Sequence, residues 1–72
     1  MTLRDLKVGD SGVIAKVNTT GALKQRFMDM GLTKNVEVKI IKIAPLGDPI
    51  ELEVRGYNLS IRKDDAQNIE IK

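Results

Sequence analysis

Both prolines of the chain stand in the run Ala44-Pro45-Leu46-Gly47-Asp48-Pro49, which separates two stretches of apolar alternation. Upstream, Val36, Val38 and Ile40 alternate with Glu37 and Lys39; downstream, Ile50, Leu52 and Val54 alternate with Glu51, Glu53 and Arg55. A period of two sends one face of each stretch to a core and the other to water, so both read as half-buried strands. Proline fixes φ and lacks a backbone donor, which keeps Pro45 and Pro49 out of a central ladder, while Gly47 accepts angles that other residues avoid. The run is therefore predicted to be a shaped loop joining antiparallel strands.

The other elements follow from the same patterns. After the turn-forming Gly9-Asp10-Ser11-Gly12, Val13, Ala15 and Val17 alternate with Ile14, Lys16 and Asn18 as a first strand. The period then changes. Leu23, Phe27 and Met30 stand at i, i+4 and i+7, one face of a helix expected from about residue 20 to 30, with Thr19 or Thr20 as its cap and Gly31 as its left-handed terminator. In the second strand the apolar positions 36, 38 and 40 give way to 41 and 43, a slip of parity that calls for a bulge. Arg55-Gly56 with Asn58 predicts a tight reversal into a fourth strand carrying Leu59 and Ile61; Lys63 to Gln67 reads as one helical turn capped by Asp64 or Asp65, and Ile69-Glu70-Ile71 as a last strand. A mainly β fold results, a small SH3-like barrel of about five strands with one short helix inserted between the first and second. An OB-fold places its helix later.

At 72 residues there is room for one domain, spanning 1–72, in which nearly every element must contribute to the core. The absence of cysteine and histidine removes disulfides, thiolate or imidazole metal sites and the common catalytic triads. Phosphate-loop and dinucleotide fingerprints are missing too, so no enzyme, cofactor or dedicated metal site is expected. Twelve basic residues against ten acidic ones leave a net charge of +2, and only Phe27 and Tyr57 are aromatic, which argues against a nucleic-acid partner. No apolar run approaches the ~20 residues that cross a bilayer, and residues 1–10 lack the apolar core of a signal peptide, so a chain without membrane insertion is expected.

Five residues stand out as partner-binding candidates: Arg26, Met28, Pro45, Leu46 and Tyr57. Met28 lies off the Leu23/Phe27/Met30 stripe, where an adaptable thioether suits a partner surface or is covered by a neighbouring strand. Arg26 flanks the stripe, free to hold Asp29 or Asp48 or to meet a partner's carboxylate. Leu46 at the centre of the proline loop is either an exposed anchor or a plug over the barrel mouth. The ring of Tyr57 caps a barrel end while its hydroxyl reaches solvent or a partner.

These residues resemble the ferrous iron transport protein A (FeoA) family, from Leu6 to Ile71. The resemblance lies in Val8-Gly9-Asp10 with Gly12, in Arg26 and Asp29-Met30-Gly31-Leu32, in the proline loop, and in Gly56-Tyr57 with Leu59, Ile61 and Arg62. Two positions depart from the family's habit: Asn35 replaces a common glycine, and Phe27 a more usual leucine. The resemblance implies an SH3-like barrel in the bacterial cytoplasm that works with the large ferrous iron membrane transporter bearing an N-terminal GTPase domain. The function expected is that of a non-enzymatic accessory protein. Two other readings stay open: a weak carboxylate-based metal-responsive sensor, and a small-barrel RNA-binding protein. Weak homo-oligomers through unpaired strand edges also remain open.

Overall fold

The computed structural model describes all 72 residues, Met1 to Lys72. A 3₁₀ turn, Leu3–Asp5, leads into β1 (Ser11–Val17), α1 (Gly21–Asp29), β2 (Glu37–Ile43), β3 (Ile50–Val54), β4 (Tyr57–Ile61), a one-turn α2 (Lys63–Ala66) and β5 (Ile69–Ile71). The strands form one antiparallel sheet in the order β4-β3-β2-β1-β5. With its helix after the first strand and its strands bent over one core, the fold is an SH3-like barrel. The curl is incomplete, since β4 and β5 share no ladder. The N-terminus shields the outer edge of β5 through a Thr2–Glu70 bridge and an Ile71 N–H bond to the Met1 carbonyl, whereas β4 pairs with β3 alone.

Two bulges supply the bending. In β2 the register passes from Ile40↔Leu52 to Lys42↔Glu51 and skips Ile41, so Ile43 returns to the interior opposite Ile50 while Ile41 rides at the surface. The parity slip in the sequence is this bulge. A second lies in β1, where Ile14 pairs with Ile71 and Lys16 with Glu70, leaving Ala15 unpartnered. Plain alternation set Ile14 apart from Val13 and Val17, but the bulge resets the parity. Ile14 is fully buried and Val17 packs half-buried on the core beside it. Strands also approach closely where Gly12 faces β5: a Cβ on Gly12 would lie 2.6 Å from Ile71 Cγ2.

The β3–β4 hairpin turns on Arg55 and Gly56, with φ of 51° and 85° and Val54 opposite Tyr57. Positive φ at both central residues matches the right-handed twist of the strands it joins. Asn35 holds φ 71° in the turn before β2 and its Oδ1 accepts from Lys72 Nζ at 2.6 Å, so asparagine both tolerates the left-handed region and ties down the C-terminus. The helix start differs from expectation. Thr20 occupies the N-cap position without a side-chain capping bond, because Gly21 at φ +68° swings the chain immediately after it.

Every buried residue is hydrophobic, and Phe27 is the largest of those fully enclosed. It is the only buried side chain of α1, flanked by half-buried Leu23 and Met30, as the i, i+4, i+7 spacing requires. Phe27→Ala is expected to cost about 3–5 kcal/mol in urea unfolding, from lost transfer energy plus the cavity left behind. Met28→Ala, one position along and half exposed, should stay within about 0.5 kcal/mol of wild type.

Candidate functional site

The proline loop is built to hold its tip outward. Ala44 N–H donates to the Pro49 carbonyl at 3.1 Å and Gly47 N–H to the Ala44 carbonyl at 2.7 Å, so the loop closes on its own backbone. Gly47 takes φ +87° and the Asp48–Pro49 peptide is cis. Pro45 and Leu46 form the apex, and Leu46 is 95% exposed. It therefore projects into solvent and is not a plug over the barrel mouth.

Asp48 performs a task that the sequence assigned elsewhere. Its Oδ1 accepts the backbone N–H of Lys63, the first residue of α2, at 2.8 Å. Asp64 and Asp65 lie inside the first turn of α2 instead of capping it, and Arg62 stands at the N-cap position without a side-chain bond. A carboxylate fifteen residues upstream thus serves the helix, since the returning hairpin brings the loop base against it.

Arg26 projects from α1 toward this base. With Asp48, Pro49, Arg62 and Asp65 it lines an open cleft of ≈ 580 Å³. Its two candidate acids have other partners, Asp48 on Lys63 and Asp29 on the Gln25 side-chain amide at 2.9 Å. Tyr57 lies at the C-terminal end of α1: its hydroxyl donates to the Met30 carbonyl, one of the free acceptors of the last helical turn, while the side chain stays partly exposed. The hydroxyl is thereby committed within the domain. The same contact explains Gly31, whose φ is +85° and whose missing Cβ would sit 2.8 Å from the Tyr57 oxygen.

Met28 is half exposed and faces away from the loop. Residues two apart on a helix are separated by about 200°, so Arg26 and Met28 occupy opposite flanks of α1. The candidates therefore divide. Arg26 borders the base of the loop whose tip is Pro45 and Leu46, Tyr57 closes the helix end, and Met28 borders a second cleft with Lys24, Leu32 and Lys34. No three or more Asp or Glu side chains converge in a metal-holding group. No helix is long and apolar enough to cross a membrane.

A family model described as the FeoA domain matches residues 1–72. The chain belongs to the FeoA domain family. The solution structure of FeoA from Chlorobium tepidum is 38% identical over 99% of this chain and 68% of that one, with a TM-score of 0.91. FeoA from Stenotrophomonas maltophilia, crystallised with zinc and described as a prokaryotic SH3 domain protein, is 25% identical with a TM-score of 0.87 over 100% of this chain and 89% of its own. A Porphyromonas gingivalis protein that fuses Fe(2+) transport protein A to the Fe(2+) transporter FeoB is 35% identical over 72 residues, which are 100% of this chain and 8% of the fusion. This FeoA chain thus spans a small part of that relative's length. A manganese-dependent transcriptional repressor shares the fold at 16% identity, with a TM-score of 0.90.

Two substitutions probe the local geometry. Gly31→Ala should destabilise the domain, and by a smaller amount in a Tyr57→Phe background, where the clash with the hydroxyl is gone and the left-handed penalty of about 1–2 kcal/mol remains. Asp48→Ala should cost about 0.5–2 kcal/mol in chemical denaturation through loss of the α2 cap.

Proposed function

We propose that this chain is a non-enzymatic accessory protein of ferrous iron uptake that docks on the cytoplasmic, GTPase-containing portion of the ferrous iron membrane transporter and biases its activity or assembly. The observation that carries this reading is the Porphyromonas gingivalis fusion, in which a domain 35% identical to this one is covalently part of a ferrous transporter chain. Fusion holds a domain near its target at an effective concentration of the order of millimolar, so a weak contact suffices there. A separate chain must supply the affinity through its own surface. The surface features fit that demand: an exposed leucine on a self-bonded loop and an arginine at the loop base. The Stenotrophomonas relative, described as a candidate ferrous iron transport activating factor, points in the same direction.

Contact is assigned to Arg26, Pro45, Leu46 and the exposed part of Tyr57 on the loop side, and to Met28 on the opposite flank of α1. An interface drawn from so small a domain falls near or below ~1,200 Å², the range of transient complexes. Co-purification with the transporter's isolated cytoplasmic region tests the reading. Wild type should be retained, and Leu46→Asp should bind about tenfold more weakly, a difference of about 1.4 kcal/mol, with an unchanged unfolding midpoint. Failure of the wild-type chain to bind refutes the assignment of partner.

A further inference from the structure

The flank of α1 that carries Met28 borders an open cleft of ≈ 440 Å³ in which two chemistries meet. Ala15, Val17 and the Met28 thioether give it an apolar floor over the buried Leu32, and Lys16, Lys24 and Lys34 stand around it. They come from β1, from α1 and from the turn before β2. No acidic residue lines the cleft, although the whole chain carries nearly as many acids as bases. Lys24 and Met28 are four residues apart and so share one helix ridge. Lys16 lies opposite Glu70 in the β1–β5 ladder, and Glu70 Oε2 accepts from the Asn18 side-chain amide at 2.7 Å. Lys24 and Lys34 have no opposite charge in the lining. Lys72, bonded through Nζ to Asn35, brings a further ammonium beside the Lys34 turn.

We propose that this cleft receives an acidic, amphipathic peptide segment: one apolar side chain rests on Met28 and Val17, and carboxylates on either side of it meet Lys24 and Lys34. The inference rests on the transporter-docking reading and names the chemistry of the segment that would be recognised. Charge complementarity selects against basic segments and steers acidic ones to the cleft, while the thioether adapts to the shape of the inserted side chain. A concave floor takes a projecting side chain, which a flat bilayer surface does not offer. The cleft also lacks the aromatic platforms on which nucleic-acid bases stack.

The test is a titration of the isotope-labelled full chain with the transporter's isolated cytoplasmic region, followed by amide chemical shifts. Shifts centred on Lys24, Met28 and Lys34 are expected, and the double variant Lys24→Glu/Lys34→Glu should bind about tenfold more weakly. Raising salt from about 0.05 M to about 0.5 M should weaken wild type far more than the double variant. Both lysines are exposed, so the variant's remaining amide spectrum should report an intact fold, and Met28→Asp gives an independent loss through the floor. Binding at undiminished affinity in both variants, or shifts confined to the proline loop, overturns the cleft assignment and leaves the docking reading standing. Absence of any wild-type binding removes the docking reading itself. Cleft shifts produced by phosphatidylserine vesicles, with none from the transporter region, overturn the inference in favour of a membrane surface.

Discussion

The burial of Phe27 is the contact on which the arrangement of α1, and with it both candidate surfaces, depends. The helix has nine residues, too few to be stable alone in water, and Phe27 is its only fully enclosed side chain. Because Phe27 points straight into the curled sheet, its neighbours in sequence are sent sideways: Arg26 to the proline-loop flank and Met28 to the lysine-rimmed flank. Gly31 and Tyr57 then secure the far end, the glycine by reversing the chain and the tyrosine by meeting the Met30 carbonyl. One buried ring thus sets the direction of two exposed side chains that share no contact with each other.

The local signals of the sequence were legible where a single residue's covalent geometry decides the outcome. The left-handed positions Gly31, Asn35 and Gly56, the parity slip in β2 and the stripe on α1 all appear where their chemistry requires them. Features decided by distant partners were not. Ile14 and Val13 are both apolar, so nothing in their own neighbourhood says that a bulge at Ala15 turns Ile14 inward. Asp48 was visible as a loop acid, and Asp64 and Asp65 as capping candidates, yet which carboxylate meets Lys63 depends on where the β3–β4 hairpin lays the loop.

The candidate surfaces divide in the same way. The proline loop marks Leu46 without saying whether it projects or plugs the barrel mouth, which its 95% exposure decides, while the angle of Met28 from the buried stripe places it on an outer flank. The lysines of the second cleft come from three separate stretches of chain, so in the sequence only the i, i+4 spacing of Lys24 and Met28 hints at their meeting. Membership of the FeoA domain family accounts for the fold along its whole length and ties the chain to ferrous iron transport.

The bond from Asp48 to the backbone of Lys63 has a consequence for how the loop tip works. It ties the loop base to α2, while Gln67, just beyond α2, accepts a side-chain bond from Arg4 of the N-terminal 3₁₀ turn. Leu46 is thereby offered on a scaffold already set in one shape, so little conformational freedom is surrendered when another surface covers it. The ordering that a surface contact would otherwise impose on the tip is already present in the free chain.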